Sequence, residues 1–468
     1  MTQSSPQAAP GRGDDVHRVL DAVWRMESPR LVAALTRIVR DVGLAEDLAQ
    51  DALEAALRQW PDAGIPDRPA AWLMGTAKHR AIDALRRRTT LQRKAEELGR
   101  DLDLDQGTAP DLDTEMDNAA IADDLLRLVF ICCHPILSIE GRVALTLRLL
   151  GGLATDEIAR AFLVSETTIG QRIVRAKRTL SEAHVPFEVP QGADFDARLA
   201  SVLQVVYLVF NEGYSATSGD DWVRPALCED ALRLGRVLAG LVPGEPEVHG
   251  LVALMEIQGS RMRARTDPTG RPIPLPEQHR ARWDRLLIDR GLAALTQAES
   301  FEGPHGPYVL QAGIAACHAR ARTADETDWS RIVALYDALA QLTPSPIVEL
   351  NRAVAVSMAY GPAAGLELVD ALLTEPSLKA YHLLPAVRGD LLVKLGRFDE
   401  AASELARAAS MTRNVPERNL LLERAQAAAR RSDPGPSDRD VPETGDRQGR
   451  DTSLRSSARM SSENRPRP

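Results

Sequence analysis

Residues 155–180 read TDEIARAFLVSETTIGQRIVRAKRTL: a short helix, a tight turn and a second helix with positive charge on its outer side. Thr155 is placed to cap the first helix, with Asp156 and Glu157 in the first turn, where carboxylates complement the helix dipole. Ile158, Ala159 and Phe162 supply its apolar stripe, and the helix is expected to stop at Leu163 and Val164. Ser165 caps the second helix, along which Ile169, Ile173, Ala176 and Leu180 follow the spacing of a buried face. This is the pattern of a helix-turn-helix. In that motif the start of the second helix enters the major groove, so Thr167, Thr168, Gln171 and Arg172 are the candidate base readers. Arg175, Lys177 and Arg178 lie further along and suit phosphate. Taken alone, the segment also fits a helical hairpin with an ordinary solvated basic face.

The 468 residues around this motif are enough for about three domains. A formal net charge of −9 does not exclude nucleic acid, because DNA responds to the local field. Positive charge is gathered at Arg86-Arg87-Arg88 and between Arg172 and Arg178. The four cysteines, Cys132, Cys133, Cys228 and Cys317, have no disulfide-framework spacing, which fits a reducing compartment. The N-terminus lacks the basic and apolar segments of a signal peptide, and no apolar run approaches the roughly 18 residues needed to span a bilayer. The expectation is a soluble cytoplasmic protein that makes no use of a membrane. Aromatic residues make up 4%, no stretch alternates in the manner of a strand, and Ala, Leu, Arg and Glu dominate. The fold class expected is all-α.

Composition divides the chain. Residues 1–14 and 431–468 lack apolar periodicity and are expected to be disordered. Residues 91–118 contain a run of carboxylates interleaved with Gly, Pro and Thr and read as an acidic linker. It separates a helical unit at 15–90, interrupted by a loop over 61–69, from a second unit at 119–184 that ends in the helix-turn-helix. A long helical region covers 190–430. Within it, the stretch from Gly361 matches the stretch from Gly396, an offset of 35 residues. That is close to the period of about 34 of tetratricopeptide repeats, in which each helix pair covers the open apolar face of the next. The expected outcome is an elongated solenoid with a concave side, in which Leu391, Leu392, Leu395, Phe398, Ala401 and Ala402 form one pair's interface.

The first unit divides its charge. Over 44–60, Ala49, Leu53, Ala56, Leu57 and Trp60 share one side, while Asp47, Gln50, Asp51 and Glu54 gather on another, free to take a basic partner. In the next helix Leu73, Ala77, Ala84 and Leu85 point inward, and Lys78, Arg80, Arg86, Arg87 and Arg88 remain outside. One unit thus offers an acidic surface for protein and a basic one for nucleic-acid backbone.

The segment from Asp47 through Gln50-Asp51, followed by Trp72-Leu73 and the run from Arg80 to Arg88, resembles region 2 of the extracytoplasmic-function sigma factors. Residues 140–180 resemble their region 4, in the same order and spacing. Further on, residues 207–214, 260–265, 282–288 and 306–319 look like the large C-terminal extension of one sigma-factor subgroup, which ends in tetratricopeptide-like repeats. The resemblance implies that Asp47, Gln50 and Asp51, with Glu54 on the same face, contact core RNA polymerase. It implies that the loop from Asp62 to Arg68 captures an unstacked base of the −10 element of promoter DNA. Lys78, Arg80 and Arg86 to Arg88 would then hold the DNA backbone, and Ser165 to Arg175 would read the −35 element. The chain departs from the family at His79, where Asn is common, which bears on how the −10 element is chosen.

Other signals carry less. Cys132-Cys133-His134 places three ligand types too close on one helix to share an ion, and reads as packing. Glu212 and Tyr214 fit capping and packing. No phosphate loop, catalytic triad or carboxylate pair stands out, so neither an enzyme nor a cofactor is expected. The function expected is a promoter-specificity subunit whose extension touches regions 2 and 4 or binds a protein regulator. The alternative is a polymerase-independent helix-turn-helix regulator, which has no need of the acidic Asp47 face.

Overall fold

The computed structural model describes residues 12–98 and 118–432, and these are all-α apart from one short strand pairing. The first unit holds α1 (Arg12–Val39), α2 (Val42–Ala63) and α3 (Pro69–Leu98). The second holds α4 (Asn118–Cys132), α5 (Ile139–Leu149), α6 (Thr155–Phe162) and α7 (Glu166–Glu182). The extension starts with α8 (Ala193–Tyr214), α9 (Pro225–Leu241), α10 (Pro246–Gly259), α11 (Arg285–Glu299), α12 (Pro307–Arg320) and α13 (Trp329–Leu342). It continues with α14 (Pro346–Tyr360), α15 (Pro362–Ala371), α16 (Leu383–Lys394), α17 (Phe398–Met411) and α18 (Val415–Ser432). No described helix is long and apolar enough to cross a membrane.

Local chemistry sets many of these boundaries. Asp41 accepts the Leu44 N–H at 2.9 Å to open α2, and Ser138 accepts that of Gly141 at 3.2 Å to open α5. Proline opens α9, α10, α12, α14 and α15, where its missing N–H leaves no bond unmade. Three expectations need correction. Helix α1 starts at Arg12, α3 runs on to Leu98 and α18 ends at Ser432, each a little inside a span read as disordered or linker. A helix already held by packing propagates cheaply, and 91–98 is built of good helix formers. The remainder of those spans lies outside the described residues. The loop expected over 61–69 contracts to 64–68, because Pro61 and Asp62 complete α2 before Gly64 ends it at φ 87°.

The acidic linker led to the expectation of two separate units, yet one apolar core runs through both and into the extension. It passes from Leu20 and Leu31 of α1 through Leu128 and Phe130 of α4 to Val206 and Phe210 of α8. The cause lies in α4 and the residue after it, where Leu128 to Cys133 are buried without interruption. A helix that is apolar all round needs cover on every side. Here α1, α5, α8 and α9 provide it.

The extension stacks helix upon neighbouring helix, and its end returns to its beginning. Strand β1 (Ser218–Gly219), just after α8, pairs in parallel with β2 (Arg413–Asn414), just before α18. The buried Asn414 side chain donates to Ala216 O at 3.1 Å and Asp221 O at 2.9 Å. This replaces the expected open solenoid with a run of helices tied end to start. Gly361 and Gly396 occupy equivalent turns, between α14 and α15 and between α16 and α17, with φ of 101° and 77° that favour glycine. Leu391, Leu392 and Ala401 are buried as expected and Ala402 is half-buried. Leu395 is exposed, because it closes α16 on the turn side, and Phe398 is half-buried with the Arg431 guanidinium 4.7 Å from its ring centre.

Candidate nucleic-acid interface

The helix-turn-helix forms with one correction at its start. Ala154, not Thr155, occupies the cap position of α6, and the Glu157 carboxylate accepts the Ala154 N–H at 2.8 Å. The turn is sharper than the sequence advertises. Leu163 adopts a left-handed conformation, φ 51°, and Val164 N–H donates back to Ala159 O at 3.1 Å. A non-glycine residue there costs about 1 kcal/mol or more, and its side chain is held by the extension: a Cβ on Gly219 would lie 2.4 Å from Leu163 Cδ1.

Helix α7 opens as the sequence indicated, with Ser165 Oγ accepting the Thr168 N–H at 3.1 Å. Ile169, Ile173, Ala176 and Leu180 are all buried. Ser165, Thr167, Gln171, Arg175 and Arg178 are exposed on the other side. Among the described residues, Arg178 pairs only with the exposed Glu182, at 3.7 Å. Thr168 and Arg172 are half-buried: the Thr168 hydroxyl lies 2.7 Å from Ser165 Oγ, and Arg172 lines a small cleft with Glu140 and Glu212. Lys177, read as a phosphate contact, instead pairs with Glu46 of α2. Its position one residue from buried Ala176 turns it inward, toward the first unit.

In the first unit Asp47, Asp51 and Glu54 are exposed on the outer side of α2. Asp51 pairs with Arg80 of α3 at 3.3 Å and Glu54 with Arg58 at 2.9 Å. The Asp51–Arg80 pair joins a residue expected to face polymerase with one expected to face DNA. Gln50 turns the other way, donating to Glu46 at 2.6 Å. Asp62 sits in the last turn of α2, outside the loop in which it was expected, while Arg68 is exposed in the loop with Ile65. Trp60 and Trp72 pack edge to face at 5.5 Å and fix the two helices that flank this loop. Lys78 is half-buried, and His79, Arg86, Arg87 and Arg88 are exposed.

Two sets of contacts escaped the sequence. Glu46, buried beside Ala45 and Ala49, receives Arg148 of α5 at 2.6 Å as well as Lys177, so one carboxylate joins the two units. A single charge on an otherwise apolar helix face was the available signal. The second set caps the second unit's helices from the extension. Arg198 donates to Phe130 O at 3.2 Å and Ser201 to Cys133 O at 2.7 Å, at the end of α4. Arg233 donates to Gly151 O at 2.8 Å, beyond α5. Arg224, paired with Glu212, donates to Ala161 O at 2.6 Å, near the end of α6. Carbonyls at or just past the ends of three helices, where the helical bonding runs out, are thus satisfied by another part of the chain.

Cys132 and Cys133 are core residues, with Cys133 Sγ 3.4 Å from the Thr146 hydroxyl. Burial pushes the Cys133 thiol up to about 11 and pulls His134 down to about 4.

Residues 23–90 match the family model described as Sigma-70 region 2, and residues 127–180 that described as Sigma-70, region 4. Residues 198–299 match a family of unknown function, DUF6596. An uncharacterised protein of Rhizobium meliloti is 45% identical over 390 residues, spanning 83% of this chain and 91% of its own. A Mycobacterium ulcerans protein described as "ECF RNA polymerase sigma factor SigK" is 29% identical over 189 residues, 36% of this chain and 94% of its own. One from Mycobacterium tuberculosis, "Probable ECF RNA polymerase sigma factor SigI", is 26% identical over 173 residues, 37% of this chain and 58% of its own. No solved structure matches the chain significantly.

Proposed function

Since this chain is an extracytoplasmic-function sigma factor of the sigma-70 family, with regions 2 and 4 followed by a helical extension, we propose how its surfaces divide the work. The outer side of α2, carrying Asp47, Asp51 and Glu54, meets core RNA polymerase. The loop 64–68 and the basic side of α3, with Lys78, His79, Arg80 and Arg86 to Arg88, hold the −10 element of promoter DNA. The outer side of α7, above all Thr167, Gln171 and Arg175, reads the −35 element. The exposure pattern carries this reading: on α2 and on α7 the polar side is open while the apolar side is covered. Replacing Asp47 and Asp51 by Lys is expected to abolish binding to core polymerase in a pull-down. Undiminished binding would remove the assignment of α2.

The extension, in the same reading, controls this activity. Two promoter elements about 25 base pairs apart lie about 85 Å apart along the duplex, at about 3.4 Å per step. Units sharing one core must separate to reach both. The Glu46 joint resists that separation, and the caps supplied by Arg198, Ser201, Arg224 and Arg233 hold the extension on the second unit, so that the core shared by all three stays closed, the role a separate protein regulator would otherwise fill. The hairpins α14–α15 and α16–α17 are read as tetratricopeptide-like, on the strength of Gly361 and Gly396 in equivalent turns. Deleting 190–468 and measuring promoter-specific transcription tests the control: output and regulation equal to the full chain would eliminate it.

A further inference from the structure

We propose that the extension carries a binding site for a phosphate group, free or on a small phosphorylated molecule, built on a ladder of alternating guanidinium groups and aromatic rings. The ladder runs Trp222, Arg265, Tyr214, Arg261, Trp283, Arg280. The Arg265 guanidinium carbon lies 5.6 Å from the Trp222 ring centre and 3.6 Å from that of Tyr214. That of Arg261 lies 5.6 Å from Tyr214 and 5.8 Å from Trp283, and that of Arg280 lies 4.7 Å from Trp283. Arg261 and Trp283, only 8% and 4% exposed, form the inner end, while Trp222, Tyr214 and Arg265 are half-buried and bring the ladder toward solvent.

The groups on this ladder demand an acceptor. The Nε of Arg261, the Nε of Arg265 and the indole nitrogen of Trp283 are buried donors with no partner among the described residues. Neither Arg261 nor Arg265 forms an ion pair with a carboxylate among those residues. Stacking on aromatic rings offsets part of the loss of hydration of a guanidinium, but it provides no oxygen for the N–H groups. Burial pulls Arg265 below the usual arginine value and Arg261 adds to the effect, while Tyr214, whose hydroxyl takes one hydrogen bond from the guanidinium, opposes it; the Nε is left without a partner. Burial, then Arg261 and Arg280, bring the neighbouring His318 down to about 4. Positive charge is thus concentrated where water is scarce, a setting that favours an anion. Gln278 Oε1 is buried and also without a partner, on a side chain that donates to Ile273 O, the residue whose own N–H bonds to Arg265 O. Hydrogen phosphate has both oxygens to accept and an O–H to donate, and so fits the set better than a carboxylate does.

The position of the site gives it a consequence, which rests on the controlling role read for the extension. Tyr214 and Trp222 lie two residues from Glu212 and Arg224, the pair that grips Ala161 O beside the helix-turn-helix. Occupation of the ladder would order this clasp.

The test is titration calorimetry of the full chain with inorganic phosphate in chloride buffer, with acetate as comparator, repeated for Arg261→Gln and Arg265→Gln. Expected are saturable binding of one phosphate, weaker binding of acetate, and a loss of at least about tenfold in each variant. Absent phosphate binding, acetate binding as tight as phosphate, or affinities unchanged by both substitutions would overturn the proposal. Should the arginine variants fail to fold, tryptophan fluorescence decides: phosphate must change the emission of the unsubstituted chain, and Trp222→Phe at the outer end must diminish that change. No phosphate-dependent change overturns the site. Promoter-directed transcription by the same preparations reports separately on the sigma-factor function.

Discussion

The outer and inner sides of α2 carry carboxylates in opposite settings. Outside, Asp51 is 54% exposed, and its bond to Arg80 is an ordinary surface pair that solvent and salt weaken. Inside, Glu46 is 4% exposed and holds Arg148 and Lys177 from the second unit, both largely covered. An exposed pair can be exchanged for a partner at small cost, whereas a buried one fixes an arrangement, since removing one member strands the others. The same helix therefore carries exchangeable carboxylates on its outer side, the side proposed to meet polymerase, and a firm joint to the second unit on its inner side.

The contrast is broken most severely at Glu46. Glu46→Ala is expected to destabilise the closed arrangement by about 3 kcal/mol, seen as a lower urea midpoint. Core polymerase binding should tighten in the same variant, because opening no longer breaks the joint. A midpoint equal to that of the unsubstituted chain would show that the joint holds nothing. The next effect extends the contrast to pH. His318 is pulled from 6.5 to about 4, first by burial and then by Arg261 and Arg280. A base with a depressed folded value contributes stability that is complete above its ordinary value and lost as pH falls from about 6.5 through about 4, on the order of 3 kcal/mol here at most. Unfolding measured across that window should show the loss, and His318→Gln should reduce it, leaving the part that belongs to His134. The smallest effect is expected outside: Asp51→Asn should change stability by less than about 1 kcal/mol. A loss as large as that of Glu46→Ala would erase the distinction between the two sides.

How legible each feature was in the sequence follows the same division between local and distant causes. The buried stripe of α7, the Ser165 cap and the outer face of α2 depend on spacing within one helix, and all were readable. Leu163 in a left-handed turn was not, because the usual glycine is missing and the contact at Gly219 comes from another unit. Lys177 and Gln50 lie on polar faces that the sequence assigned to DNA and polymerase; Gln50 turns to Glu46 one turn back on its own helix, and only the approach of α7 to α2 turns Lys177 there. The closure of the extension rests on two strands of two residues each, too short to have any periodicity. The joining of regions 2 and 4 was hidden by the linker, although the all-apolar end of α4 already required cover from more than its own unit.

The most direct test of the account is run-off transcription with purified core RNA polymerase, promoter fragments from the protein's own genome and the full chain. Transcripts from defined start sites are expected, dependent on the chain and lost when Asp47 and Asp51 are replaced by Lys. Transcripts at no defined site, or equal promoter selection by the substituted chain, would contradict the account.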